Sequence, residues 1–140
     1  MARADESRRM TPETLGTGVY DPRTFERFSP EEGTVVPMYR DQDVSVVVWN
    51  LAPGQENSPH SHPTSAHVIW ILEGEGQSLK GDAAPVPIKA GECVIIPRGV
   101  VHGIRNTRHG NLSYLAVTSL GPGGYVRDVV RPRAHDRFVR

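Results

Sequence analysis

Gly54-Gln-Glu-Asn-Ser-Pro-His60-Ser-His62-Pro-Thr-Ser-Ala-His67-Val-Ile-Trp-Ile-Leu-Glu-Gly74 carries three of the chain's six histidines. His60 and His62 are two positions apart, so on extended backbone both imidazoles leave the same face. His67 opens the apolar run Val68–Leu72 and can return to the same interior. A second stretch, Gly91-Glu-Cys-Val-Ile-Ile-Pro97-Arg-Gly99-Val-Val-His102-Gly-Ile-Arg-Asn106, supplies a distant fourth histidine. There His102, Ile104 and Asn106 share a face by the same period. Glycines and Pro97 mark the turns that bring distant strands together. Two such units facing one another across a barrel would gather four imidazoles inside an apolar wall, and that is a metal site.

Outward from these stretches the chain reads as short strands between tight turns. Val44–Leu51 is β-branched and aromatic and ends at Ala-Pro-Gly. It is apolar on both faces, which suits a sheet inside a sandwich. Ala66–Leu72 is a second clear strand, with His67, Ile69 and Ile71 on one face and Val68, Trp70 and Leu72 on the other. Further strands are expected at 35–39, 77–80, 86–88, 93–96, 100–106 and 112–120, with a loop at 81–85 and a helical turn near 23–28. About eight strands with frequent Gly/Pro turns and almost no helix predict an all-β sandwich or barrel. The expected layout is an irregular segment over 1–32, a barrel over 33–124 and a basic tail over 125–140 with five arginines against two aspartates.

Bulk properties narrow the function. The 140 residues are enough for one domain with a real core. Net charge is zero, so no global field favours nucleic acid or an anionic membrane. The N-terminal Met-Ala-Arg-Ala-Asp-Glu-Ser-Arg-Arg is not a signal peptide by its pattern, and no apolar run reaches membrane-helix length. A single cysteine excludes an internal disulfide framework. The expectation is a cytoplasmic protein with a small-molecule substrate and without nucleic-acid or membrane partners.

The two histidine stretches resemble the paired motifs of the cupin superfamily, small jelly-roll β-barrels. The first motif is matched at Gly54, His60, His62 and Gly74, with His67 where the family usually has glutamate. The second is matched at Gly91, Pro97, Gly99, His102 and Asn106. The resemblance implies a cupin-like jelly-roll barrel, and it implies metal binding by His60, His62 and His102. His67 departs from the pattern; a second reading makes it a group that orients a ligand or substrate. As a fourth ligand it would leave a divalent ion its full charge, because imidazole neutralises none of it. Four nitrogens suit zinc, iron, nickel, copper or cobalt over magnesium or calcium, and zinc is the favoured ion.

Four-histidine sites occur among cupin oxygenases and also in proteins similar to zinc-dependent bacterial aromatic polyketide cyclases. That similarity implies Lewis-acid chemistry on an oxygen-rich small molecule, such as polyketide cyclisation, with a bound water or hydroxide moving the proton and no protein acid or base assigned. The alternatives are a dioxygenase of a phenol, enol or diketone, and a barrel that binds without turnover. The family commonly dimerises, and strands apolar on both faces exceed what one small core can use, so a homodimer is expected. Cys93 reads as buried and inert within an apolar strand. Tyr39, Trp49 and Tyr114 are candidate pocket aromatics, with core packing the plainer reading. Arg40, Arg98, Arg105, Glu73 and Glu75 read as solvated, and His109 and His135 are assigned no role.

Overall fold

The computed structural model describes residues 15–120, which form nine antiparallel strands in two facing sheets. The strands are β1 (Thr34–Arg40), β2 (Val44–Leu51), β3 (Glu56–His60), β4 (His67–Glu73), β5 (Glu75–Lys80), β6 (Ala83–Lys89), β7 (Cys93–Ile96), β8 (His102–Arg105) and β9 (Leu112–Ser119). One sheet has the order β1-β2-β9-β4-β7 and the other β3-β8-β5-β6. This is the expected all-β jelly-roll architecture. The tail from 125 and its His135 lie outside the described residues.

Strand alternation builds the core between the sheets. Leu51, Ile69, Ile71, Ile96, Leu112, Tyr114 and Ala116 face inward from the five-stranded sheet and meet Ile88 and Ile104 from the other. On β4 the inward parity is His67, Ile69 and Ile71, while Val68 and Trp70 are exposed. Tyr114 is fully buried, lies nearly parallel to Trp49 at a centroid distance of 6.3 Å, and accepts a hydrogen bond from Asn57 Nδ2 at 3.2 Å. Burial pushes its phenol up, so it stays neutral. It is therefore a core residue tying β9 to β3, whereas Tyr39 is engaged at the sheet margin with Asp41 at 2.7 Å.

The second apolar face of β2 has an occupant within the chain. Val46 and Val48 face outward and join Phe25, Met38, Leu15, Val36, Leu72 and Leu115 in a second cluster. Phe25 comes from a 3-10 turn at Pro22–Phe25, capped by Asp21. Gln55 Nε2 donates to Ser29 O at 2.8 Å, Ser113 Oγ donates to Glu26, and Arg23 pairs with Glu73 at 3.0 Å. Glu73 is thus half-buried and ion-paired, not freely solvated as expected. Beyond the reach of this cover, Val68, Trp70 and Ile95 remain exposed.

Three expectations are corrected. Cys93 is exposed, because it lies opposite Trp70 on the outer face of β7, the parity it shares with Ile95, while Ile96 faces the core. The segment 81–85 is not all loop: β6 begins at Ala83 after a turn at 81–82. Its Pro85 and Pro87 lack an N–H, which confines such a strand to a sheet edge, and β6 is that edge. A ninth strand, β3, leads up to and ends on the first histidine. It is polar, contains Pro59 and breaks register between Asn57 and His60, so nothing in its composition announces a strand.

Close backbone approach sets where β3 lies. A Cβ on Gly103 would stand 2.7 Å from Asn57 O, so only glycine lets β3 and β8 come this near. Gly74 has φ +88° and a Cβ there would stand 2.1 Å from Asn111 O, which fixes the β4–β5 turn against the loop before β9.

Candidate metal centre

The four predicted histidines gather at one end of the barrel interior. His60 ends β3 and lies directly across the ladder from His102, which starts β8. His62 follows β3, and His67 starts β4 in the facing sheet. Ring centroids are 4.4 Å apart for His60–His102, 4.9 Å for His60–His62, 4.4 Å for His62–His67 and 4.9 Å for His67–His102. Nitrogens of His60, His62 and His102 all lie within 4.8 Å of one another, the geometry of a candidate three-ligand site. His67 packs against this trio without being part of it by that distance.

Backbone hydrogen bonds assign the protons of two rings. His60 Nδ1 is 2.7 Å from Ser58 O and His102 Nδ1 is 3.0 Å from Val100 O. A carbonyl oxygen can only accept, so each Nδ1 carries the hydrogen and each Nε2 keeps its lone pair. A ring held by an outer acceptor with its other nitrogen free is the usual arrangement of a metal-ligating histidine. His67 Nδ1 lies 2.8 Å from Thr118 Oγ1, and its buried Nε2 has no hydrogen-bond partner among the described residues. An orphaned, buried ring nitrogen beside three others fits a bound cation better than it fits a packed core.

Electrostatics point the same way. Burial, with mutual repulsion adding to it, lowers the imidazole pKa values: His62 to about 4 and His102 to about 3. His67 falls to about 2 and His60 is lowered, again through burial first. The rings are neutral at physiological pH, which is the form that ligates.

Loops lock the two histidine stretches together. Gly99 N donates to His62 O at 2.9 Å, so the Pro97–Gly99 turn holds the second histidine of the first stretch. Asn106 is completely buried; its Nδ2 donates to Leu51 O and Gly110 O, both at 2.8 Å, and its Oδ1 accepts from Arg108 N at 3.0 Å. Gly54 N donates to Asn106 O at 3.0 Å. Asn106 is thus a structural clamp between the stretches and not a ligand. Among the charged candidates, Arg105 pairs with Glu56 at 2.7 Å and Arg108 with Glu75 at 3.3 Å, while Arg98 and His109 are exposed.

Thr118 is the residue the sequence reading passed over. Its signal was present: Leu112, Tyr114, Ala116 and Thr118 share the inward parity of β9, so a hydroxyl follows three core residues into the interior.

Known proteins share this chain's features. Residues 47–118 match the family described as "Cupin domain". Germin-like protein 1-1 of Oryza sativa subsp. japonica is 34% identical over 77 residues, 52% of this chain and 36% of the relative. The oxalate-binding protein of Thermotoga maritima is 37% identical over 70 residues, 50% of this chain and 57% of the relative. The chain therefore spans about a third to somewhat over half of these relatives' lengths. A solved double-stranded β-helix protein from Klebsiella pneumoniae superposes with TM-score 0.73 at 26% identity, covering 84% of this chain and all of that one.

Proposed function

Because the chain belongs to the cupin family, we propose that it is a metal-dependent enzyme in which an ion held by His60, His62, His67 and His102 acts as a Lewis acid on an oxygen-rich small molecule. The observation that carries this reading is the donor set: four neutral imidazoles converge, and Nε2 of His67 is buried without a partner. A divalent transition ion, zinc in the favoured form, would supply Lewis acidity there at full charge, since no ligand brings a negative one. The chain's own groups do the rest. Ser58 and Val100 carbonyls hold two rings in the ligating tautomer, and Ile69, Ile96 and Ile104 contribute to an apolar core that keeps water from the interior. The specific reaction we favour is cyclisation of an aromatic polyketide intermediate, and the runner-up is dioxygenation of a phenol, enol or diketone. A homodimer through the exposed outer face is part of the proposal.

A second reading has its own support. The similarity to an oxalate-binding protein favours a small carboxylic acid as ligand, with or without turnover. Elemental analysis of protein purified without added metal, followed by turnover with and without oxygen, separates the readings. About one zinc per chain and oxygen-independent product support the Lewis-acid enzyme. Iron, nickel or copper with oxygen uptake supports the dioxygenase. Tight binding of a small acid without product supports the binding barrel. Protein free of transition metal, and unable to take it up, refutes the proposal.

A further inference from the structure

An imidazole at position 67 has a requirement that the family's usual carboxylate lacks. Ionised carboxylate oxygens both offer lone pairs, whereas a neutral imidazole offers one only from the nitrogen without the hydrogen. For His60 and His102 backbone carbonyls settle the matter. His67 Nδ1 meets a hydroxyl instead, Thr118 Oγ1 at 2.8 Å, and a hydroxyl can either donate or accept.

We infer that Thr118 is the positioning residue of His67: its hydroxyl accepts from Nδ1–H and so keeps a lone pair on Nε2 for the cluster. Thr118 lies directly opposite His67 on the β4–β9 ladder and is buried, so the pair is built into the register of the sheet. In the reverse arrangement Thr118 would donate to Nδ1 and Nε2 would carry the hydrogen. Nε2 is buried without a partner among the described residues in either tautomer, but an N–H there would turn a positive edge toward a bound cation. A lone pair in the same place is what a cation takes up. The substitution of His67 for glutamate and the hydroxyl at Thr118 therefore form one device. The purpose of that device rests on the metal reading above, but its existence can be tested without any metal.

The test compares wild type with Thr118→Val, which keeps the shape and removes the hydroxyl, and with Thr118→Ser, which keeps the hydroxyl. Long-range nitrogen–proton NMR of the metal-free, 15N-labelled full chain in mildly alkaline buffer reads the His67 tautomer. The expected result is Nδ1–H in wild type and Thr118→Ser, and a shift toward Nε2–H in Thr118→Val. An unchanged tautomer in Thr118→Val, in a chain whose circular dichroism is native, overturns the inference. Titration with Co(II) is the second readout. Thr118→Val should bind about 10- to 100-fold more weakly, with an altered visible spectrum, and Thr118→Ser should recover both. Equal affinity and spectrum in all three overturns the positioning role. A wild type with the expected tautomer that takes up no Co(II) sinks the metal reading and leaves the hydrogen bond standing.

Discussion

Acidifying the metal-free chain should unfold it well above the range where carboxylates titrate. The sign follows from the depressed imidazoles. In the unfolded chain each histidine titrates near 6.5, while folded His62, His102 and His67 titrate at about 4, 3 and 2. Below pH 6.5 the unfolded state binds more protons, so stability is fully present above that value and is lost as pH falls toward the folded pKa values. Between about pH 8 and about pH 5, a histidine that stays neutral only when folded costs about 2 kcal/mol, since one pKa unit is about 1.4 kcal/mol. Three such groups sum to about 6 kcal/mol, which is comparable to the whole stability of an ordinary domain.

Urea unfolding of chelator-treated protein at several pH values between these limits measures the slope directly. The midpoint should fall steeply below neutrality, while Asp41, whose carboxyl is held low by Tyr39 and by the Asp43 and Val44 amides, stays ionised across the window. Replacing His67 by leucine removes one titrating group, so the maximum slope should drop by about 1.4 kcal/mol per pH unit whatever its effect on absolute stability. Zinc should shift the transition to lower pH, because the ion competes with protons for the same lone pairs. Stability that is flat between pH 7 and pH 5, or a maximum slope that the loss of His67 leaves unchanged, would refute the argument.

Three further outcomes follow from the same geometry. His60→Ala and His102→Ala should each abolish metal binding by calorimetry while His67→Glu retains the ion with changed activity; metal retained by the His60→Ala, His102→Ala double variant would refute the site. Asn106→Ala should lower stability by about 3 kcal/mol in denaturant titration, because buried Leu51 O and Gly110 O lose their donor and Arg108 N its acceptor; a loss below about 0.5 kcal/mol would show the clamp to be dispensable. Ile95→Glu should convert a dimer to monomer in sedimentation, since Ile95 pairs with Val68 beside Trp70 in an exposed apolar part of the outer sheet face; a wild type that sediments as a monomer refutes the homodimer.

What the sequence disclosed depended on whether local chemistry matched local structure. Val44–Leu51 and Cys93–Ile96 are strands at their expected limits, because β-branched runs closed by Ala-Pro-Gly and Pro-Arg-Gly leave little freedom. The histidines came together because period-two spacing and turn glycines are local facts. β3 was invisible for the opposite reason: Glu-Asn-Ser-Pro-His has no strand propensity, and its pairing depends on the missing side chain of Gly103 one strand away. Cys93 faces outward, against expectation, because an unbroken apolar run does not say which parity points to the core. Apolarity on both faces of several strands exceeds what one small core uses, and on β2 much of the second face is covered by Phe25 and Leu15 of the same chain.

The same reasoning explains why His67 can depart from the family pattern without disturbing the barrel. It sits at the first position of β4, where its neighbours across the ladders are Ile96 and Thr118. A glutamate there would bring a charge that the interior tolerates only with a cation or donor beside it. An imidazole brings none, so the metal-free barrel can close with all four rings neutral. The cost is displaced elsewhere, into an unpaired Nε2 and into proton-linked instability in acid. Both would be relieved by the same event, occupation of the proposed centre by a cation. Folding of this chain and loading of its site should therefore be coupled most strongly in mildly acidic solution, where protons and metal compete for one set of nitrogens.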